Sequence, residues 1–157
     1  MASSGSQDIV LRAEPVGLSR CERASGFDDA LLVSREGTLL EGTTFSVAWV
    51  AEGTLETPSL GLGILDSITR QLVIEDAIVV GLKVVEGEWG IDRLAEATEM
   101  IAMSTVREVQ GVAVVGDREF PIGNVTALLQ DRFAQRIGSA VSGQESIVMT
   151  PSQSTRR

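Results

Sequence analysis

The sequence predicts a mixed α/β domain with a mostly antiparallel or mixed sheet. Two observations lead to this fold class: short apolar strand patterns fill residues 29–58, and a long apolar helix pattern follows at residues 67–81. Further strand patterns and a second helix pattern extend to about residue 140, an order expected where helices pack against a sheet. With 157 residues, the chain is long enough for one domain with its own hydrophobic core.

The two ends of the chain carry weaker patterns than its middle. Residues 1–8 are small and polar, as in disordered segments, and residues 9–25 carry a weak helix pattern interrupted by Pro15 and Gly17. We therefore expect one domain at residues 9–140, in which residues 9–25 are a divergent segment. Residues 141–157 are rich in Ser, Gln and Thr and predict a disordered tail.

Four strands are predicted before the long helix. Residues 29–34 form a short apolar strand, and residues 38–58 follow as strand, bend, strand, tight turn and strand. The strand after the bend alternates two sets of side chains: Phe45, Val47 and Trp49 against Thr44, Ser46 and Ala48. This period of two predicts a strand with one buried face. The tight turn lies at AEGT, where Gly53 can adopt positive φ.

The strongest helix pattern runs from Ser67 to about Gly81, where Gly81 is a candidate C-cap. Its apolar residues are Ile68, Leu72, Val73, Ile74, Ala77, Ile78 and Val80. Because these residues cover more than one face, we expect the helix to be largely buried.

The remaining elements alternate between strands and helices. We expect a strand at 83–89, a short helix at 91–97, a strand at 99–104, a hairpin at 109–120 that turns at Gly116-Asp117, and a helix at 123–141. Asn124 is the candidate N-cap of this last helix.

Composition excludes several classes of function. A net charge of −9 disfavours binding to nucleic acid, which requires clustered Lys and Arg. The chain has no histidine, which excludes a Ser-His-Asp triad, and a single cysteine, Cys21, which fits a reducing cytoplasmic compartment. No apolar run is long enough to span a bilayer, and the first residues lack the pattern of a signal peptide, so we expect no membrane partner.

Four motifs occur in the order found in one enzyme family: GFDDALLVS at 26–34, EGTTFSVAWV at 41–50, GILDSITR at 63–70 and STVREV at 104–109. Together they resemble the class IV (fold-type IV) pyridoxal-phosphate aminotransferases. That family includes branched-chain aminotransferases, D-amino-acid aminotransferases and 4-amino-4-deoxychorismate lyases. The resemblance runs from about Gly26 to Gly138 and covers only the C-terminal domain of that fold. It implies a mixed sheet or pseudo-barrel with flanking helices, a pyridoxal 5'-phosphate cofactor and a homodimer.

Glu41 is the candidate partner of the cofactor's ring nitrogen. Pyridoxal phosphate acts as an electron sink, which works best when a carboxylate keeps the pyridine nitrogen protonated. By resemblance, Glu41 at the end of a strand has this role. From its sequence position alone, a solvated acid in a turn is the favoured interpretation, and the resemblance reverses this preference. Leu65 matches the position that packs on the cofactor ring, and without the resemblance it is a core leucine.

The cofactor phosphate needs N–H groups at a helix N-terminus together with hydroxyl groups. By resemblance, Ile68 and Thr69 hold the phosphate from one segment and Thr105 holds it from another. Ser67 stands where many members of the family carry glycine, so its hydroxyl is an additional candidate contact, as is that of Ser104 beside Thr105. The same residues have ordinary structural explanations. Asp66 or Ser67 would serve as a plain N-cap, and threonine is common in strands. Two nearby arginines, Arg70 and Arg107, are expected to form structural ion pairs.

The lysine that forms the Schiff base in this family has no counterpart at the expected position. Counting back from the matched motifs places it near Gln7 or Asp8, neither of which forms an imine. The only lysine, Lys83, is expected to be a surface strand residue, and the chain has no tyrosine. The catalytic residue therefore stays unassigned, and we expect pyridoxal phosphate to bind non-covalently at best.

The resemblance implies transfer of an amino group between an amino acid, with branched-chain amino acids first, and a 2-oxo acid. Three alternatives remain open: an aminodeoxychorismate lyase-like enzyme, a non-catalytic binding module and a folded remnant. If the chain is a truncated form, we expect little or no transamination from it alone.

Overall fold

The structure is a computed structural model that describes residues 9–15 and 28–144, with side chains described for residues 28–140. The predicted disorder of residues 1–8 and 145–157 lies outside the described residues, as does the weak helix pattern at residues 16–25. None of the helices in the described part of the chain is long and apolar enough to cross a membrane.

Nine strands and two α-helices make up the described part of the chain. The strands are β1 Ile9–Pro15, β2 Asp29–Val33, β3 Leu39–Gly42, β4 Ser46–Ala51, β5 Thr54–Pro58, β6 Lys83–Gly87, β7 Ala97–Ser104, β8 Glu108–Val115 and β9 Arg118–Glu119. The helices are α1 Ile68–Val79 and α2 Asn124–Gln144, with short 3-10 turns at Leu60–Leu62 and Ile91–Glu96. The order of elements predicted from residue 29 onwards is confirmed.

The sheet is mixed and curls into a pseudo-barrel. Its strand order is β3-β2-β1-β8-β7-β4-β5-β6, and β9 pairs with β8. Strand β1 is parallel to both neighbours and β5 is parallel to β6, whereas the other pairs are antiparallel. The two outer edges meet at a bridge between Thr38 and Gly90, where Leu39 N–H donates to Trp89 O at 2.7 Å. This closure leaves the sheet with an inside and an outside.

Each side of the sheet has its own hydrophobic core. The inner core consists of Leu31, Leu39, Phe45, Val47, Trp49, Ala51, Leu94, Ala97, Met100, Ala102, Val112, Val115 and Phe120. The outer core, under the two helices, consists of Ala48, Val50, Leu55, Val73, Ala77, Ile101, Met103, Val109, Leu129 and Phe133. Strand β4 is therefore buried on both faces, and the prediction of one buried face was wrong. The physical reason is that the helices cover the face that carries the smaller side chains.

The helix pattern at residues 9–25 was wrong where the structure can test it, because residues 9–15 form strand β1. This strand fills the position between β2 and β8 and pairs with both. Pairing with two distant strands supplies the backbone hydrogen bonds that a local helix would otherwise provide. Pro15, which interrupts a helix, lies beyond the residues of β1 that pair with β8, so one side of the strand is unpaired there, as at a sheet edge where proline is tolerated.

Helix α1 is buried on one face only, so the prediction of a largely buried helix was wrong. Its inward face packs on the sheet and on α2 through residues such as Val73 and Ala77. Ile68, Ile78 and Val79 are all more than half exposed. Its start is as predicted, since Ser67 is the N-cap, and Gly81 follows the C-cap Val80 in the left-handed region at φ +83°.

Helix α2 differs from its prediction at both ends. Asn124 is the first helical residue, and the N-terminal N–H groups are capped by the carboxylate of Glu99 on β7. The helix continues to Gln144, so residues 141–144 are helical, although they were assigned to a disordered tail. A cap supplied from a distant strand leaves no local sequence signal, which explains the first difference.

Candidate functional site

A pocket of about 180 Å³ opens where three segments of the chain meet. Its first wall is the end of β3 and the bend that follows, its second is the entry to α1, and its third is the end of β7. It is lined by Glu41, Gly42, Thr43, Thr44, Phe45, Ser46, Leu65, Ser67, Met103, Ser104 and Thr105. Five of the seven predicted site residues are in this lining: Glu41, Leu65, Ser67, Ser104 and Thr105.

Glu41 connects the first wall of the pocket to the second. It lies at the end of β3, is partly exposed, and accepts a hydrogen bond at Oε2 from Leu65 N–H at 3.1 Å. This bond orients the carboxylate at the pocket wall. The Leu65 side chain is 70% exposed, so it is not the core leucine of the alternative interpretation.

The entry to α1 presents unsatisfied N–H groups. Ser67 Oγ accepts a hydrogen bond from Arg70 N–H at 3.4 Å, and Ser67 O accepts one from Gln71 N–H at 3.0 Å. The N–H groups of Ile68 and Thr69 have no partner among the described residues. Because the first turn of a helix carries partial positive charge, these two groups suit an anion.

Ile68 and Thr69 follow Ser67 directly but are not part of the pocket lining. The Ile68 side chain points to solvent, and that of Thr69 is buried. The alternative of Asp66 as the N-cap is not what the structure has, because Ser67 caps the helix and Asp66 Oδ1 accepts a hydrogen bond from Gln71 Nε2.

Ser104 and Thr105 form the third wall. Ser104 Oγ accepts a hydrogen bond from Arg107 N–H at 3.0 Å, which closes the turn between β7 and β8. Thr105 is exposed in that turn. Two hydroxyl-bearing segments therefore reach one pocket, with Ser67 lying 37 positions before Ser104 and 38 before Thr105. The convergence was expected for Thr69 and Thr105, and of these two residues only Thr105 lines the pocket.

The two arginines near the pocket are engaged in ion pairs, as predicted. Arg70 is 2% exposed, and its Nη2 donates to Pro58 O at 2.8 Å and to Glu86 Oε2 at 2.5 Å. Arg107 Nη2 donates to Asp29 Oδ2 at 2.9 Å. Lys83 is exposed at the first residue of β6 and does not line the pocket, in agreement with its prediction as a surface strand residue.

The sequence patterns missed several pocket residues, including Phe45 in the bend before β4 and Met103 on β7. Phe45 is linked to a signal that could have found it, the glycine in the EG pair. A Cβ on Gly42 would lie 2.1 Å from the Phe45 ring, so glycine is required there for the ring to cover the backbone next to Glu41. Met103 gave no such signal because its position depends on the pairing of β7 with β4.

The arrangement offers a carboxylate to a positively polarised group and helix N–H groups to an anionic group. Glu41 supplies the carboxylate at one wall, and the unpartnered N–H groups of α1 directly follow Ser67 of the adjacent wall. Among the described residues no cluster of three or more His, Cys, Asp or Glu could hold a metal ion.

Comparison with known proteins extends this description. Residues 12–115 match the amino-transferase class IV family. The chain is 35% identical over 106 residues to a protein named as a branched-chain-amino-acid aminotransferase in Rickettsia bellii, covering 68% of this chain and 35% of that protein. It is 27% identical over 115 residues to the aminodeoxychorismate lyase of Bacillus subtilis, covering 72% of this chain and 39% of the lyase.

A solved structure gives the same result for the fold. The branched-chain amino acid aminotransferase of Thermobaculum terrenum, in its pyridoxal-phosphate form, superposes with a TM-score of 0.76 at 25% identity over 86% of this chain and 52% of that one. The chain thus spans well under two thirds of the length of these relatives. Since the family match covers more than half of the sequence, the chain belongs to the class IV aminotransferases.

Proposed function

We propose that this chain carries the cofactor-binding half of a pyridoxal-phosphate-dependent aminotransferase, which transfers an amino group between an amino acid and a 2-oxo acid. The observation that carries this proposal is that Glu41 and Ser67, the N-cap of α1, line the same pocket, with two N–H groups directly after Ser67 that have no partner among the described residues. A carboxylate suits a protonated pyridine nitrogen, and a helix N-terminus suits a phosphate, which supports the proposal.

The described residues fit the two polar ends of pyridoxal phosphate. When bound, this cofactor withdraws electrons from the carbon attached to the reacting nitrogen. In the proposal, Glu41 holds the proton on the ring nitrogen, and its bond to Leu65 N–H keeps the carboxylate in place. The exposed Leu65 side chain packs on one face of the ring.

The phosphate would be held by the N–H groups of Ile68 and Thr69, with hydroxyl groups from Ser67, Ser104 and Thr105 around it. The free N–H groups support this assignment because a helix N-terminus favours a doubly charged anion. No lysine lines the pocket, so we expect binding by this chain to be non-covalent and the catalytic lysine to be absent from the described residues.

Branched-chain amino acids are the proposed substrates, because the Rickettsia bellii relative bears the name of an enzyme that acts on them. An aminodeoxychorismate lyase is the second candidate, supported by the relative from Bacillus subtilis. A net charge of −9 and one cysteine favour a cytoplasmic protein that binds neither nucleic acid nor membrane. We also propose a homodimer, since the rim of the pocket carries exposed apolar side chains that a second copy would cover.

The proposal is tested by titrating the purified chain with pyridoxal phosphate, followed by visible absorbance. Borohydride reduction and intact-mass measurement then detect any imine. We expect saturable binding without a covalent adduct. Absence of saturable binding would overturn the proposed function, and a reduced adduct on Lys83 would overturn the non-covalent mode.

A pair of variants makes the titration specific for the pocket. Glu41→Gln removes the carboxylate and is expected to weaken binding about tenfold or more, because a hydrogen bond to a charged group contributes roughly 1.5–3 kcal/mol. Glu36→Gln makes the same change of charge at an exposed turn residue and should leave the affinity unchanged. Equal affinities for the two variants would argue against the assigned role of Glu41.

A further inference from the structure

An ion pair outside the pocket connects two of the pocket walls. Asp29, at the start of β2, and Arg107, in the turn after β7, are 78 positions apart, and their side chains are 12% and 28% exposed. Arg107 Nη2 donates to Asp29 Oδ2 at 2.9 Å. Neither residue lines the pocket, so the pair acts on it only through its neighbours.

On one side, Asp29 holds the bend that follows Glu41. Its Oδ1 accepts hydrogen bonds from Ala30 N–H and from the hydroxyl of Thr43, which lines the pocket. Thr43 N–H in turn donates to Ala30 O at 3.2 Å. Both the backbone and the side chain of this bend residue are therefore attached to the first two residues of β2.

On the other side, Arg107 holds the turn that contains Thr105. Its backbone N–H donates to Ser104 Oγ, and its guanidinium carbon lies 5.5 Å from the centre of the Phe45 ring, which lines the first wall. Arg107 thus contacts the third wall through its backbone and the first wall through its side chain.

The turn between β7 and β8 needs such an anchor. Glu108 adopts φ +56°, in the left-handed region that a non-glycine residue enters at a cost. Val106, at the tip, is 93% exposed and contributes almost no packing. The pairing of Ser104 with Glu108 fixes the base of the turn, and the side chain of Arg107 adds contacts from the turn to Asp29 and to the Phe45 ring.

We infer that Asp29 and Arg107 are positioning residues that set the separation of the first and third pocket walls. This inference rests on the proposed function, because the separation matters for a ligand that touches Glu41 at one wall and Ser104 or Thr105 at the other. The pair does not touch the ligand, and its effect on affinity passes through Thr43, Phe45 and Ser104.

The test compares two ion pairs of similar design. Asp29→Asn and Arg107→Met disrupt the pair next to the pocket. Asp76→Asn and Arg136→Met disrupt a matched pair that joins α1 to α2, in which Arg136 Nη2 donates to Asp76 Oδ1 at 2.7 Å and neither residue lines the pocket. Each variant is measured for its midpoint of thermal unfolding and for its affinity for pyridoxal phosphate by absorbance titration.

We expect the Asp29 and Arg107 variants to bind pyridoxal phosphate about tenfold more weakly than the parent chain. The double variant should have an affinity within about twofold of the weaker single variant, because both substitutions disrupt the same pair. The Asp76 and Arg136 variants should lower the unfolding midpoint with an affinity within about twofold of the parent chain. Equal loss of affinity in both sets would mean that the pair at Asp29 contributes only stability, and would overturn the inference.

A second measurement separates this inference from the proposed function. Amide hydrogen exchange at Thr43 and at residue 107 reports the two walls without any ligand, because Thr43 N–H donates to Ala30 O and the N–H of residue 107 donates to Ser104 Oγ. We expect faster exchange at both amides in the Asp29 and Arg107 variants and unchanged exchange in the matched pair. If the parent chain does not bind pyridoxal phosphate, the proposed function fails, and the exchange result alone decides whether the pair positions the walls.

Discussion

At the scale of single residues, Glu56 shows how a buried charge is stabilised inside the pseudo-barrel. Its side chain is almost fully buried, and its carboxylate accepts hydrogen bonds from Arg93 Nη2 at 2.7 Å, Arg93 Nε at 2.9 Å and Trp49 Nε1 at 2.7 Å. The bonds from Arg93 lower the pKa of Glu56 below its ordinary value, aided by Trp49 and opposed by burial. Arg93 also lies over the Trp89 ring, 5.4 Å from its centre.

This environment predicts a specific pH dependence of stability. A carboxyl group whose pKa is lower in the folded state stabilises the fold above its unfolded pKa, near 4.5, and this contribution is lost as the pH falls through the folded pKa. Glu56→Gln should cost roughly 2 kcal/mol at pH 7, and its free energy of unfolding should fall less between pH 5 and about pH 3 than that of the parent chain.

Urea unfolding at several pH values measures this difference. Glu119→Gln, at an exposed residue of β9, serves as the control and should keep the pH dependence of the parent chain. Parallel curves for Glu56→Gln and the parent chain would mean that the pair with Arg93 does not contribute to acid stability.

At the scale of elements, the start of α2 depends on a side chain from another element. Glu99 Oε1 accepts a hydrogen bond from Val125 N–H at 3.2 Å, and its Oε2 accepts bonds from Thr126 N–H and Thr126 Oγ1, each at 2.7 Å. A Cβ on Gly123 would lie 2.1 Å from Glu99 Oε1, so glycine is needed for the carboxylate to approach. The negative charge of Glu99 also interacts favourably with the partial positive charge at the N-terminus of the helix.

Removing this cap should destabilise the domain through α2. Glu99→Gln keeps the shape of the side chain but loses the charge, and we expect a loss of about 1–3 kcal/mol in the free energy of unfolding. Compared with the parent chain, the variant should show faster amide exchange in the first turn of α2 and unchanged exchange in α1. The same loss in the Glu119→Gln control, or unchanged exchange in α2, would contradict the assigned role of Glu99.

At the scale of the whole molecule, the apolar side chains around the pocket bear on assembly. Leu65, Ile68 and Val106 are each at least 70% exposed, and all three lie at or next to pocket residues. Monomeric proteins rarely leave large apolar side chains grouped in this way, and such groups mark interaction surfaces.

We therefore expect the chain to self-associate through this rim. The double variant Leu65→Ser, Val106→Ser should weaken the association at least about tenfold, because each buried aliphatic side chain contributes roughly 1.5–3 kcal/mol. Sedimentation velocity over a range of concentrations measures it. The control double variant Ile78→Ser, Val79→Ser alters the other end of α1 and should associate like the parent chain. A parent chain that stays monomeric throughout would exclude the proposed dimer.

Much of this molecule follows from local sequence patterns. The strands from residue 29 onwards, the turns at Gly53 and Gly116 and the start of α1 after Ser67 are predicted correctly. These features depend on hydrophobic periodicity, on backbone conformations open to glycine and on capping residues, so a single sequence is enough to indicate them. Glu41, Ser67 and Ser104 are 26 and 37 positions apart, and they were named as site residues through the family resemblance rather than through a local pattern.

Other features required the folded chain. The strand at residues 9–15, the burial of both faces of β4, the Glu99 cap of α2 and the pair of Asp29 with Arg107 all depend on partners that are distant in sequence. Glu99 and Thr126 are 27 positions apart, and Asp29 and Arg107 are 78 apart. Such contacts form only when the fold brings the two elements next to each other. Local patterns carry no information about that arrangement, because they record only the preferences of each segment by itself.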